Sequence, residues 1–279
     1  MFGEEGENRG IVPRALDELF ARIAADDSGG LFVVKASMLE IYMEELKDLL
    51  RPSTAKLRLR ESVFDGVWVE GLHHSFVTST QAALDLVQEG IQHRSTAATN
   101  MNAHSSRSHC ILTLRVELQR PDGVIQRGLL HFCDLAGLER VDRTGAQGSV
   151  LEEAKRINLS LSSLGNCILA LSQPGRSHIP FRDSRLSFLL KDSLGGNAKT
   201  TLLINASALP KDLDESYSAL KFGARARNIK NVVKVNKKLS AEELERLLNK
   251  LRGEHEALRK HCIAVEKRLA EFTAGGADG

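Results

Sequence analysis

No run of about 18 apolar residues occurs in the chain, so none of it reads as a membrane-spanning helix and no membrane insertion is expected. Cysteine is scarce. Cys110, Cys133, Cys167 and Cys262 are scattered without metal-ligand spacing, and reduced thiols in a cytosolic protein are the simplest reading. Excess charge is lacking as well: 38 Lys and Arg stand against 36 Asp and Glu, a formal net charge of +2. Global charge therefore gives no argument for a nucleic-acid partner, and any anionic partner must be met by a local patch. After Met1 come Gly3, Glu4 and Glu5, which is the pattern of neither a secretory signal nor a transit peptide. What is present is 279 residues with 42% hydrophobic content, ample for one large core without requiring two domains. The 27% of charged residues indicates neither disorder nor a fibrous class.

Residues 1–13 are Gly-rich and acidic and read as a loop. Pro13 then starts a helix carried by Ala15, Leu16, Leu19, Phe20 and Ile23. Leu31 to Tyr42 is a β-rich run, Glu44 to Leu50 reads as a short helix ended before Pro52, and Val67 to Val77 is extended. Gln81 to Arg94 is helical. His109–Leu118 and Arg127–Asp134 are two strands joined through the turn Pro121-Asp122-Gly123. Helices are expected over Leu151–Leu171, Phe181–Ser193 and Asp214–Asn228, the last packed by Leu220 and Phe222, with a strand over Thr200–Ala206. Strands and helices mostly alternate, which argues for an α/β class with a central sheet flanked by helices.

Composition changes after Asn231. Residues 232–240 form a short, extended, basic linker, and Ser240 with Glu243 fits a capping box. Leu244, Leu251, Leu258, Val265 and Phe272 repeat every seven residues, with Leu248, His255, Cys262 and Leu269 at the second seam position. A coiled coil over 241–272 is expected; a single amphipathic helix packed on its own domain is the other reading. Residues 273–279 read as a frayed tail.

Two segments carry chemistry. Asn102-Ala-His-Ser105-Ser106-Arg107-Ser108-His109 precedes a strand, and a hydroxyl pair beside an Arg can hold Mg²⁺ and a terminal phosphate. Taken alone it reads more simply as a polar loop with capping serines. In the second segment an apolar strand ends in Asp134, with Gly137 three residues on, so a carboxylate can face a metal shell and an amide can face a phosphate. An ordinary strand end has the same spacing.

Together the two segments resemble switch I and switch II of kinesins. Further landmarks stand in the same order as in that family: Gly10-Ile-Val-Pro-Arg14, Leu39-Glu-Ile-Tyr42, Ala154-Lys-Arg-Ile-Asn158, Ser160-Leu-Ser-Ser-Leu-Gly-Asn166, His178-Ile-Pro-Phe-Arg-Asp-Ser184, Asp192-Ser-Leu-Gly-Gly-Asn197 and Ile229-Lys-Asn231. The resemblance covers roughly residues 1–240. It implies a kinesin-type P-loop NTPase motor over 1–231, a neck linker over 232–240 and a neck coiled coil after it.

By that resemblance, Asn102, Ser105 and Ser106 would belong to the nucleotide and Mg²⁺ site, with Ser106 and Asp134 serving the metal. The Gly137 amide would sense the γ-phosphate. Arg107 and Glu139 would form the ion pair that closes around ATP, and Asn158 would begin the relay helix. Arg140, Arg143, Arg176, Arg182 and Arg185 would face the acidic surface of tubulin, the alternative for each being a solvated surface arginine. Asn236 would latch the docked linker. ATP and Mg²⁺ as ligands, microtubules as track, plus-end-directed movement, a homodimer, and a place in the cytoplasm on the cytoskeleton follow as implications.

The sequence also departs from the family. Kinesins carry Gly-x-x-x-x-Gly-Lys-Thr ahead of a Thr-Met-x-Gly segment, and Met1-Phe2-Gly3 looks like the end of the latter. No Gly-x-x-x-x-Gly-Lys-[Ser/Thr] occurs in these 279 residues, and Gly195-Gly-Asn-Ala-Lys199-Thr200 does not substitute for it. A motor truncated after its phosphate loop is expected, without ATP turnover of its own and with unpaired strand edges where the missing strands would lie. Leu138, Met43, Phe181, Phe188 and Tyr217 replace the usual Ser, Asn, Tyr, Arg and Leu. A non-catalytic microtubule-binding and dimerising module is the alternative function. A guanine-nucleotide switch is excluded by the lack of an Asn-Lys-x-Asp motif.

Overall fold

The computed structural model describes residues 1–4, 6–53, 55–62, 66–96, 107–137, 149–173, 175–176, 178–238 and 241–275. Apolar residues alternate along β1 (Leu31–Tyr42), and the alternation divides the core into two halves. Val34 and Ala36 point to one face of the sheet, Leu39 and Ile41 to the other. β6 (His109–Gln119) pairs antiparallel with β1 over its whole length and divides in the same way. Leu112 and Leu114 join the first face, Ile111 the second.

On the first face lie α1 (Ile11–Ala24) and α2 (Thr80–Thr96), contributing Val12, Leu16, Ala83 and Val87. On the second lie α3 (Ser149–Leu171), the five-residue α4 (Arg185–Leu189) and α5 (Leu213–Ala226), contributing Leu161, Leu164, Ile168, Leu186 and Phe222. The result is helices on both faces of a sheet, as expected for the α/β class. Gly90 lets α2 lie close to β1, because a Cβ there would stand 2.3 Å from the Met38 sulfur.

The main sheet runs β2 (Glu45–Asp48), β1, β6, β7 (Ile125–Asp134), β8 (Asn236–Lys238), with β5 (Ser75–Phe76) also on β1. β3 (Arg58–Ser62) and β4 (Gly66–Glu70) form a separate hairpin. Every pairing among the described residues is antiparallel.

Several expected elements differ. Glu44 to Leu50 is a hairpin arm, with Tyr42 opposite Glu45. The Asp48 carboxylate accepts from the amides of Leu50, Arg51 and His73, and Leu49 donates to the Met38 carbonyl. These long-range bonds outweigh the helical spacing of a seven-residue segment too short to nucleate a helix. Phe181–Ser193 is broken into a 3₁₀ turn (Phe181–Asp183) and α4, because Ser184 turns extended and caps the latter by accepting from the Ser187 amide. Val67–Val77 divides into β4 and β5. Helix α1 begins at Ile11, so Pro13 is its third residue.

Thr200–Ala206 forms no strand: Leu202 and Leu203 are exposed, and no described residue pairs with the segment. From Gly128 to Asp134 the second edge of β7 likewise has no strand partner among the described residues, and Leu129 and Leu130 are exposed there. Leu220, expected to pack α5, is 56% exposed, together with Leu213 and Tyr217 on the same face; Phe222 does pack. A strand needs a neighbour and a helix face needs a floor, and among the described residues neither is present for 200–206 or for the face of Leu213, Tyr217 and Leu220.

The β1–β2 turn is strained. Met43 and Glu44 both have positive φ, 51° and 64°, as a two-residue hairpin turn requires. Glu44 is held there by accepting from the Arg185 amide (2.7 Å). Met43→Asn is expected to stabilise the fold by about 1 kcal/mol, a rise of about 2–4 °C in Tm, and Met43→Val to lower it. Thermal unfolding of the two variants checks the sign.

Helix α6 (Ala241–Gly275) is continuous over 35 residues and takes in the start of the expected tail. Its seam residues Leu244, Leu248, Leu251, Leu258 and Val265 are all exposed, so this stretch does not pack on its own domain.

Candidate functional site

The β6–β7 register sets the site. Cys110 lies opposite Asp134, so the chain entering β6 at Arg107-Ser108 runs beside the chain leaving β7 at Leu135-Ala136-Gly137. Two segments 27 residues apart in sequence meet at one end of the sheet. Arg107, Asp134 and Gly137 are all placed there. Asn102, Ser105, Ser106, Glu139, Arg140 and Arg143 lie outside the described residues, as does Ser240. Asn158 lies in α3, three residues before Leu161 of the core, and its side chain is outside the described set.

Sequence reasoning missed Arg94, the residue that ties this end together. Near the C-terminal end of α2 its guanidinium is only 11% exposed. It donates to the Ser108 carbonyl (3.0 Å) and Ser108 Oγ (3.2 Å), pairs with Asp134 Oδ2 (3.4 Å), and pairs with the fully buried Glu40 on β1 (3.5 Å). One planar cation with five N–H donors thus links α2, β1, β6 and the end of β7. A basic residue in a helix's last turn is the one sequence signal it had, and many surface cations share it.

His109, the last residue of the first motif, has a role there that the sequence does not mark. It is buried. Its Nδ1 accepts from the Ala136 amide (2.9 Å), and its Nε2 lies 2.7 Å from Ser160 Oγ on α3. Burial, with the Arg94 charge nearby, pushes its pKa down from 6.5 to about 4, so the ring is neutral near pH 7. Burial pushes the neighbouring thiols the other way, Cys110 to about 11 and Cys133 to about 12, so neither is a nucleophile at neutral pH.

Asp134 is half exposed, and Arg94 pairs with its Oδ2. The donor set fits a hydrated Mg²⁺, which keeps most of its waters and needs one or two protein oxygens beside a nucleotide's phosphates. Among the described residues no three His, Cys, Asp or Glu converge on a metal, and a hydrated Mg²⁺ does not require such a cage.

Away from this end, one of the expected track-facing residues, Arg182, belongs to a second cluster. Arg182 pairs with Glu61 of β3 (2.9 Å) and lies over the Phe188 ring (5.1 Å from its centroid), while Lys191 pairs with the same carboxylate. The Lys191 bond, then that of Arg182, holds the Glu61 pKa below the usual carboxylate value. Arg176 is exposed beside Gln173, and Arg185 is half-buried. The linker is held by three asparagines. Asn231 bonds the Gly195 amide and the Ser193 and Ala198 carbonyls; Asn197 accepts from the Lys234 amide and donates to Asn236 Oδ1 (2.8 Å). The 195–200 turn is therefore engaged with the linker.

By fold this is an α/β domain in which the chain entering β6 and the chain leaving β7 meet at one end of the sheet. Residues 1–229 match the family description "Kinesin motor domain". Kinesin-related protein 5 of Dictyostelium discoideum is 51% identical over 271 residues, 96% of this chain and 27% of that protein. The kinesin heavy chain of Drosophila melanogaster is 41% identical over 268 residues, 96% of this chain and 28% of its own. Among solved structures, one described as a fast kinesin superposes with a TM-score of 0.78 at 43% identity, covering 85% of this chain and 68% of that one. A KIF14 dimer with AMP-PNP, in complex with a microtubule, gives a TM-score of 0.77 at 35% identity, covering 87% and 71%. The chain belongs to the kinesin motor-domain family, and it spans little more than a quarter of the length of these curated relatives.

Proposed function

We infer that this chain is part of a microtubule-based motor that couples ATP binding and hydrolysis to movement. The observation that carries the reading is the convergence of Arg107, Asp134 and Gly137 at one sheet end, with Arg94 tying the segments that bear them. Asp134 through water and Ser106 directly would hold Mg²⁺. Asn102 and Ser105 would meet the nucleotide, and the Gly137 amide would face its terminal phosphate. Mg²⁺ with the nucleotide would supply the electrophilic phosphorus. Arg107 would pair with Glu139 to close the site and position water, and Asn158 would pass the change into α3.

Arg140, Arg143, Arg176, Arg182 and Arg185 would contact tubulin. Asn236, held by Asn197, would latch the linker along β7, and the exposed seam of α6 would pair with a second copy. A cytoplasmic, cytoskeletal place follows from that partner.

The absence of Gly-x-x-x-x-Gly-Lys-[Ser/Thr] from these residues favours a second reading for the chain taken alone, a non-catalytic microtubule-binding, dimerising module. Co-sedimentation with microtubules is the test. Binding is expected at about 25 mM salt and lost by about 200 mM, because the contacts are between exposed charges. Arg182→Glu should shift the loss to lower salt. No pelleting at low salt would overturn both readings. Microtubule-stimulated ATP hydrolysis by the isolated chain, expected to be absent, would remove the second.

A further inference from the structure

A backbone amide can only donate, so the Ala136 N–H fixes His109 Nδ1 as the unprotonated nitrogen. The neutral ring then carries its proton on Nε2 and donates it to Ser160 Oγ. Both nitrogens are thus committed, to two different elements, from a ring anchored at the first residue of β6. Ala136 immediately precedes Gly137, and Ser160 stands two residues beyond Asn158 on α3.

The imidazole is rigid, and its two nitrogens point apart at a fixed angle. A hydroxyl or an ammonium could follow one partner and keep the other by rotating; this ring cannot. His109, Ser160 and Ala136 are all buried, so water is not at hand to replace a broken bond. Moving the 135–137 turn without α3 strands a buried donor or acceptor, an opening made tenfold or more rarer by its lost partner.

The geometry points to His109 as a positioning residue that makes the Ala136–Gly137 turn and helix α3 move as one body. Its place in a motor cycle rests on the reading above, in which Gly137 faces a phosphate. The mechanical coupling itself does not.

The test is residue-resolved amide hydrogen exchange on the chain alone, without nucleotide or microtubules. In the unaltered chain, Ala136, Gly137 and the amides of residues 160–168 are expected to share one opening equilibrium and one urea dependence. Ser160→Ala removes the hydroxyl that His109 Nε2 meets on the helix and leaves the Ala136 bond in place. It is expected to leave Ala136 protection within about twofold while the helix amides exchange about tenfold faster, with a separate urea dependence. His109→Asn places an oxygen near the Nδ1 position and should behave like Ser160→Ala. His109→Gln reaches towards Ser160 and should release Ala136 instead. A uniform acceleration of all these amides in Ser160→Ala, or none, would overturn the proposal. Should a His109 variant fail to fold, Ser160→Ala still decides. Failure of co-sedimentation would sink the motor reading and leave this result standing.

Discussion

Arg94→Ala is expected to destabilise the chain by about 3–5 kcal/mol, because it leaves the Glu40 carboxylate inside the core without the cation that faces it. Glu40 is 1% exposed and Arg94 11%, so water cannot take over the solvation of either group. The loss is the cost of taking the cation away from a buried carboxylate, not the net worth of the pair, and a double substitution separates the two. In a Glu40→Gln background the same Arg94→Ala change should cost distinctly less. Arg94→Lys should recover only part of the stability, since one ammonium cannot reach Glu40, Asp134 and the Ser108 carbonyl as a planar fork does. Urea unfolding midpoints of the five proteins, the unaltered chain included, measure this. Equal costs in both backgrounds would remove the argument.

The second large effect is on acid stability. His109 has an ordinary pKa of 6.5 when unfolded and about 4 when folded, so the unfolded chain binds the extra proton first as pH falls. The neutral ring's contribution is fully present above pH 6.5. It declines as pH falls from there and is lost by about pH 4, a total of about 3 kcal/mol. The His74 ring is lowered too, by desolvation first and then by the charges of Arg115 and Lys35, and acts in the same direction. The informative quantity is therefore the difference between the unaltered chain and His109→Asn, followed by urea unfolding at a series of pH values. The unaltered chain should lose its advantage between pH 6.5 and 4. Parallel pH profiles would place the buried ring's influence elsewhere.

How far the molecule was legible in advance depended on the range of the forces involved. β1 was read over its full length, Leu31–Tyr42, because a long β-branched and aliphatic run buried on both faces has no competing period. The helices over 149–171, 80–96 and 213–226 were read to within two residues of each end, from apolar spacing alone. Leu46, Leu49 and Leu50 were misread as a helix, since their spacing fits one. Asp48 decides the matter by taking amides from as far away as His73. Leu202, Leu203 and Leu220 have the composition of buried residues and are exposed, because burial is a property of the neighbour as much as of the residue.

The site divides along the same line. The residue types at 102–109 and 134–139 are local, and their order alone was enough to tie the chain to its family. Nothing local marks Arg94, an arginine near a helix end, and nothing local gives His109, which closes the first of these segments, its role. Their importance arises where α2, β1, β6, the β7 turn and α3 come together. The chain's own order of residues thus determined the elements, the class and the family, since propensity, periodicity and motif spacing act over a few residues. Which charge is buried against Glu40, and which ring joins the Ala136 turn to α3, was decided only by the packed structure, because solvent exclusion and hydrogen-bond geometry exist only once distant segments have met.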